Sequence, residues 1–254
     1  MSPSQGNLLR TETSLQSSGR LNDLVAKALS EVAARFGTRG FANMSNTPLV
    51  CRMLEAAMDR SDESARAAAD DMLQAGVPAE VIVDDIIPKA ARIMGEEWVQ
   101  DISSFASVTL GASRLQTLVR ELGEQWIADD ARPGQSVILL WVPPAAQHTL
   151  GATVVSTKLR RLGHSVQYAH RQSADLADAL VSDDYDAMVI SASIADSTEE
   201  IQKAVAKAKA HKKTLPVIVG GTILKQKPDL AAETGADIAT NDIEVAASYF
   251  EVAK

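Results

Sequence analysis

Apolar residues recur every three or four positions through the first half of the chain, which is the spacing of amphipathic helices. One helix is predicted over Leu21–Phe36, after a polar stretch, residues 1–20, that is predicted to be disordered. Four further helices with short connections predict a compact bundle. They are predicted over Leu49–Asp59, over Ser61–Gln74, over Ala79–Ile87, which Pro88 interrupts or restarts before the helical pattern continues over Pro88–Trp98, and from Ser103 or Ser104 to about Ala128.

The second half of the chain alternates short apolar runs with helical patterns. Such alternation predicts β-α units and a doubly wound parallel sheet, flavodoxin-like, with strand order 2-1-3-4-5. The predicted strands are Ser136–Val142, Ser165–Tyr168, Ala187–Ile190, Pro216–Val219 and Ile238–Ala239. The predicted helices are Leu150–Leu162, Ser173–Ser182, Ser197–His211, Pro228–Thr234 and Asp242–Val252.

Three regions follow from these patterns. Residues 1–47 hold the polar tail and one helix, residues 48–128 form a four-helix bundle, and residues 134–254 form a Rossmann-like sheet domain. The segment Asp129–Gly134 is the predicted linker between the last two regions.

Composition narrows the function classes. The 254 residues are 46% hydrophobic and 23% charged, as in ordinary globular proteins, and the net charge of −8 disfavours non-specific binding to duplex DNA. Aromatic residues make up 4% of the chain, which disfavours a base-stacking platform for RNA. The lone cysteine, Cys51, excludes an internal disulfide and indicates a reducing cytosol. Its place in an apolar helical pattern predicts a buried thiol.

Candidate chemistry gathers at the ends of three predicted strands. His148 follows the first strand, Ser191 and Ser193 follow the third, and the pair Gly220 and Gly221 follows the fourth. In the order 2-1-3-4-5 these strands are neighbours, and ligands of open α/β sheets bind outside the carboxyl ends of the strands. The loops therefore predict a binding slot for a large cofactor containing a metal that His148 could ligate.

These residues resemble the signature of cobalamin-binding domains of the methionine-synthase type. That signature runs Asp-x-His-x-x-Gly, Ser-x-Leu and Gly-Gly, and here His148 is followed by Gly151. Thirty-nine residues (152–190) separate Gly151 from Ser191, and 26 residues (194–219) separate Ser193 from Gly220, which matches the family's spacing. The resemblance covers roughly residues 48–254. It implies that His148 is the lower ligand of cobalt, and that Ser191 and the two glycines surround the buried nucleotide tail of cobalamin.

Two positions depart from that signature. Ala146 stands where the family has Asp, and Ser193 stands where it has Leu. A carboxylate behind a ligating imidazole normally orients the ring and raises its basicity. His148 is therefore expected to be a weaker and less rigid ligand than its counterparts.

The upper face of the cofactor is covered by the helical bundle in this superfamily. The cobalamin photoreceptors carry a tryptophan, nine residues, and then Glu-His in that bundle. Here Trp98 is followed by nine residues and then by Val108 and Thr109. Trp98 matches the tryptophan of the photoreceptors. Two roles remain open for it, packing over the upper ligand pocket or packing in the ordinary core of the bundle. Val108 and Thr109 cannot supply the imidazole.

The combination of Trp98, Val108-Thr109 and His148 without its Asp resembles the PpaA/AerR family. Members of this family are cobalamin-binding, light-responsive antirepressors of photosynthesis genes, and they act on a partner repressor of the PpsR/CrtJ type. The resemblance implies a cytoplasmic regulator that is not an enzyme and has no strong direct affinity for nucleic acid.

Two alternatives remain at the level of sequence. A corrinoid methyl-carrier protein has the same bundle-plus-sheet layout, although such carriers normally keep the Asp replaced here by Ala146. A haem sensor would use His148 as an axial ligand. A zinc site is not indicated, because one cysteine and scattered histidines supply no four-ligand spacing. His164, His170 and His211 are predicted at the surface or in turns.

Overall fold

The computed structural model of the protein describes residues 47–126, 135–144, 149–169 and 176–252. The predicted helix Leu21–Phe36, the predicted linker, His148 and His170 lie outside these ranges. The chain divides into two compact units, one ending at Leu115 and the other beginning at Gln116. The division falls within a helix, whereas the linker predicted at 129–134 is not among the described residues.

The first unit is helical. Its helices are α1 (Thr47–Met58), α2 (Ser64–Gln74), α3 (Ala79–Val81), α4 (Ile87–Val99) and α5 (Phe105–Gly123), and α5 continues into the second unit. A π-helical turn, Ile82–Ile86, joins α3 to α4 in one continuous helical stretch. The described residues therefore form the four helical segments that the periodicity predicts. None of the helices in the described ranges is both long and apolar enough to span a membrane.

The π-helical turn replaces the interruption predicted at Pro88. Proline has no N–H to donate to the carbonyl of Asp84, four residues earlier, and its ring would clash with that carbonyl in a regular helix. The turn before it widens instead, which is how helices accommodate such a residue without ending. The helix accordingly runs through Pro88 to Val99.

Arg114 anchors α5 to the chain that follows α1. Its buried guanidinium donates to the carbonyl of Ala57 at 3.0 Å, to the carbonyl of Asp59 at 2.5 Å and to the carboxylate of Asp62 at 2.6 Å. The last carbonyls of a helix lack partners within it and carry partial negative charge. One cation therefore satisfies the end of α1 from inside the unit.

Cys51 is exposed, so the prediction of a buried thiol is wrong. The buried side chains of α1 are those of Leu49, Val50, Met53 and Ala57, which share one face of the helix. Cys51 lies on the opposite face. The apolar run included it because sequence alone does not show which side of a mostly apolar helix faces the core.

The second unit is a five-stranded parallel sheet with helices on both faces. Its strand order is β2-β1-β3-β4-β5, which confirms the predicted topology. The strands are β1 (Val137–Trp141), β2 (Ser165–Ala169), β3 (Ala187–Ser191), β4 (Val217–Gly220) and β5 (Ile238–Ala239). The helices are α6 (Leu150–Arg161), α7 (Leu176–Val181), α8 (Thr198–His211), α9 (Leu230–Thr234) and α10 (Ile243–Val252), with short 3-10 turns at Glu124–Trp126 and Thr222–Lys225.

Alternate strand residues face opposite sides of the sheet, and each side has its own core. α7, α8 and α9 pack on the face that presents Met188 and Val217, while α6 and α10 pack on the face that presents Val189 and Ile218. Burial of both faces explains why the central strands are almost wholly apolar.

His164 is buried, so its predicted surface position is wrong, whereas His211 is exposed as predicted. The ring of His164 packs edge-on against Phe250 of α10, with the ring centroids 5.0 Å apart. A lone histidine just after a helix gave no sequence signal of this contact with the end of the chain.

Candidate cofactor site

The ends of β3 and β4 lie side by side. Ser191 pairs with Gly220 in the parallel register, and the N–H of Ala192 donates to the carbonyl of Gly220 at 2.9 Å. A cavity of about 360 Å³ opens at this edge of the sheet, within the second unit. It is lined by five of the residues predicted from sequence, Gly151, Ser191, Ser193, Gly220 and Gly221.

The cavity lies between the sheet and the two helices of one face. β3 and β4 contribute Val189 and Ile218, which are paired neighbours two residues before the strand ends. α6 contributes Gly151 and Val155, one helical turn apart. α10 contributes Ile243 and Ala246, also one turn apart. The cavity thus lies at the carboxyl ends of β3 and β4, where open α/β sheets bind their ligands.

The glycines of the predicted motif serve two different purposes. A Cβ at Gly151 would meet no atom of the described residues within 4 Å outside its own helix backbone, so this glycine leaves open space beside the cavity in that part of the chain. A Cβ at Gly220 would lie 2.7 Å from the carbonyl oxygen of Thr240, and one at Gly221 would lie 1.9 Å from that of Ala192. The Gly-Gly pair therefore lets backbone pack on backbone.

Asn241 holds the Gly-Gly turn, and sequence reasoning missed it. The N–H of Gly221 donates to Asn241 Oδ1 at 2.6 Å, and Asn241 Nδ2 donates back to the carbonyl of Gly221 at 3.2 Å. Gly221 has φ 113°, a conformation that glycine adopts far more readily than other residues. The signal was present, because the loop after β5 must reach the same edge of the sheet as the loop after β4.

The loop after β3 is fixed in a similar way. The N–H of Ser193 donates to Asp196 Oδ2 at 2.5 Å, and the N–H of Ile194 donates to Thr222 Oγ1 at 3.2 Å. These bonds tie the Ser191–Ser193 loop to its own continuation and to the 3-10 turn after β4. The mouth of the cavity is therefore held in shape by hydrogen bonds within the protein.

Thr149, the residue after His148, is anchored by side chains from two other elements. Gln116 Nε2 donates to Thr149 Oγ1 at 2.6 Å, and Tyr168 on β2 shares a hydrogen bond with the same hydroxyl. Burial raises the pKa of Tyr168, and the hydrogen bond to Thr149 offsets part of that shift. The chain is thus fixed directly after His148, although His148 itself lies outside the described residues.

The remaining predicted site residues belong to the helical region. Trp98 is 42% exposed and packs against Phe105 with ring centroids 5.9 Å apart, which does not fit the alternative of an ordinary core tryptophan. Val108 is buried, and the exposed Thr109 donates its hydroxyl to the carbonyl of Phe105 at 2.8 Å. The assignment of these three residues to an upper ligand stays a prediction from sequence.

The cavity fits the nucleotide tail that the sequence resemblance implies. Its volume is in the usual range for small-molecule sites, and its inner walls are hydrocarbon, as a flat aromatic base requires. The open space at Gly151 is a second sign of fit, since contacts among the described residues do not account for a glycine there.

Comparison with known proteins agrees with this geometry. Residues 137–247 match the B12 binding domain family, a range that contains the five strands and all the lining residues of the cavity. An uncharacterized 20.5 kDa protein from the bchF-crtJ intergenic region of Rhodobacter capsulatus is 37% identical over 186 residues, covering 72% of this chain and 97% of that protein.

A solved structure shares the fold. The monomethylamine corrinoid protein of Methanosarcina barkeri superposes with a TM-score of 0.66, covering 82% of this chain and 100% of that one at 17% identity. Identity at that level speaks for the fold alone. The domain match and the Rhodobacter relative together show that this protein has cobalamin as its cofactor, and the chain belongs to the PpaA/AerR family of B12-binding proteins.

Proposed function

We propose that this protein is a cobalamin-dependent light or redox sensor that relieves repression by a partner repressor of the PpsR/CrtJ type. The observation that carries the proposal is the pairing of a B12 binding domain, with a cavity at its strand ends, and a relative whose gene lies between bchF and crtJ. On this proposal the protein is not an enzyme, and it works in the cytoplasm, where the repressor meets DNA.

His148 is proposed as the lower ligand of cobalt. It directly precedes Thr149, which Gln116 and Tyr168 hold beside the amino end of α6. Because Ala146 replaces the Asp that would orient His148 in the family, the contacts of Gln116 and Tyr168 with Thr149 are proposed to fix the backbone on the carboxyl side of His148. The nucleotide tail is then proposed to enter the cavity past Gly151, with Ser191 and the Gly220-Gly221 turn around it.

Light or redox sensing needs an exchangeable upper ligand. When bound, cobalamin supplies a cobalt–carbon bond that light can break. This chain offers no imidazole at the two positions of the photoreceptor Glu-His pair, since Val108 and Thr109 stand there. The hydroxyl of Thr109 is also engaged with the backbone of its own helix.

The output is proposed to be a protein–protein contact. The net charge of −8 opposes the phosphate attraction that supplies most non-specific DNA affinity. The predicted helix Leu21–Phe36 has an apolar stripe, formed by Leu21, Leu24, Val25, Leu29 and Val32, that is a candidate contact.

The proposal predicts that the cobalamin-loaded protein weakens binding of the repressor to its operator DNA in one illumination state. Allosteric couplings are typically 1–3 kcal/mol, so the expected loss of repressor affinity is roughly 5–150-fold. Mobility shifts of repressor and operator, titrated with loaded protein in the dark and after illumination, measure it. The matched control is His148→Ala, which should show no difference between dark and light.

Two results would overturn this regulatory role. One is tight, sequence-specific binding of operator DNA by this chain alone. The other is a repressor whose DNA affinity the loaded protein leaves unchanged in both dark and light.

The carrier alternative makes a separate demand. A methyl-carrier protein must accept and deliver a methyl group with a cognate methyltransferase, and its Asp partner helps to manage the ligand proton. Ala146 removes that partner, and the likeness to the Methanosarcina protein extends to the fold only. A methyltransferase gene beside this one, in place of pigment-synthesis genes, would favour the carrier.

A further inference from the structure

The cavity has two chemically distinct zones. Its inner walls are formed by side chains that hold no polar atom, and its mouth is formed by loops rich in polar groups. The inner side chains are Val155, Val189, Ile218, Ile243 and Ala246. Val189 and Ile218 lie one strand repeat deeper than Ser191 and Gly220, so a flat group that passes the mouth is enclosed by hydrocarbon.

Most polar groups at the mouth are already engaged. Asn241 is bound through both its amide atoms to Gly221, and Asp196 accepts from the backbone of Ser193. Asp242 Oδ1 accepts from the N–H of Glu244 at 2.9 Å and caps α10. A ligand base that brings its own donors and acceptors would therefore find few partners without breaking these bonds.

Three lining residues, Ser191, Ser193 and Lys225, carry side-chain polar groups that make no hydrogen bond to any residue in the described ranges. Lys225 is exposed, and Ser193 lies in the loop two residues beyond the end of β3. Ser191 ends β3 on the sheet face that also presents Val189, so its hydroxyl is the one of the three beside the apolar walls. A hydroxyl offers one donor and can accept. It can thus satisfy one ring nitrogen of a buried base, but not a set of donors and acceptors along one edge.

We propose that this cavity selects the cofactor by its lower base, accepting corrinoids with a benzimidazole-type tail and discriminating against those with a purine tail. The inference rests on the proposal that the nucleotide tail occupies this cavity. A benzimidazole has a hydrocarbon edge and one free ring nitrogen, which matches apolar walls with the one hydroxyl of Ser191 beside them. Adenine carries an exocyclic amine and further ring nitrogens, which lose their water on entry without protein partners in exchange.

The test compares three corrinoids on the full chain by equilibrium dialysis. They are cobalamin, its adenine-tailed analogue, and cobinamide, which lacks the nucleotide altogether. Unpartnered buried polar groups reduce affinity, so the adenine-tailed form is expected to bind about 10–100-fold more weakly than cobalamin. Cobinamide gives the affinity that the corrin ring has without any tail.

A pair of variants on α10 tests where the selectivity arises. Ile243→Asn places an amide in the inner wall. It is expected to reduce the ratio of the cobalamin affinity to the affinity for the adenine-tailed analogue at least several-fold. Val245→Asn adds the same amide to the exposed face of the same helix, outside the cavity lining, and should leave the ratio unchanged.

The outcomes separate the two proposals. Equal binding of cobalamin and its adenine-tailed analogue, both tighter than cobinamide, would overturn the base selectivity and leave the tail in the cavity. If cobinamide binds as tightly as cobalamin, the nucleotide tail does not contribute to binding in the cavity. That result would overturn both the base selectivity and the proposed placement of the tail. A ratio that responds equally to Ile243→Asn and Val245→Asn would also contradict the selectivity.

Discussion

Gly151→Leu should weaken cobalamin binding by about 5–150-fold while leaving the sheet unit folded. Within the described residues a Cβ at this position meets nothing within 4 Å, so the larger side chain costs little in the protein itself, but it takes up space beside the cavity. Overfilling a packed site typically costs about 1–3 kcal/mol, which is the source of the expected loss of affinity. Equilibrium binding measures the loss, and circular dichroism checks the fold.

Ser248→Leu is the matched control, since it adds the same side chain to the exposed face of α10, outside the cavity lining. Gly151→Ala should fall between the wild type and Gly151→Leu. Wild-type affinity in Gly151→Leu would show that the cofactor does not use this cavity.

Gly221→Ala is expected to destabilise the sheet unit by about 3 kcal/mol or more, because strain and steric overlap add. The backbone there has φ 113°, and an added Cβ would lie 1.9 Å from the carbonyl oxygen of Ala192. Neither neighbour can move freely, since Gly221 is tied to Asn241 and Ala192 to Gly220. Urea titration of the free energy of unfolding gives the loss.

Gly235→Ala separates the two causes. Gly235 has φ 78°, and a Cβ there meets nothing within 4 Å, so its substitution carries backbone strain alone. A loss of about 1 kcal/mol is expected, the usual cost of a non-glycine residue in the left-handed region. Equal losses at the two glycines would contradict the close approach of backbone to backbone at Gly221.

The topology of the sheet could be predicted because its signal is local and repeated. Strands β1, β3 and β4 are short apolar runs, and five predicted strands alternating with helices leave few arrangements open. Because the carboxyl ends of parallel strands lie at one edge of the sheet, the predicted strand order placed Ser191 and Gly220 at the same edge. That prediction needed only the order of the strands and no knowledge of side-chain contacts.

The missed features depend on contacts that are distant in sequence. Cys51 and His164 were placed wrongly because exposure depends on which face meets the rest of the chain. Asn241 was not predicted, because a single asparagine in a loop forms no sequence pattern. Its position directly after predicted strand β5 did indicate that it lies at the same edge of the sheet as the Gly220-Gly221 turn. The π-helical turn before Pro88 was also not foreseen, since periodicity predicts only that proline disturbs a helix.

The role of His148 is the central claim, and spin resonance of the reduced, cobalt(II) form of the bound cofactor tests it most directly. Protein labelled at histidine with the heavy nitrogen isotope, loaded with unlabelled cobalamin, distinguishes a protein imidazole from the cofactor's own base. The account predicts that labelling changes the nitrogen splitting from a triplet to a doublet, and that His148→Ala abolishes the doublet. A triplet unchanged by labelling would show that the cofactor keeps its own base on cobalt, which would contradict the account.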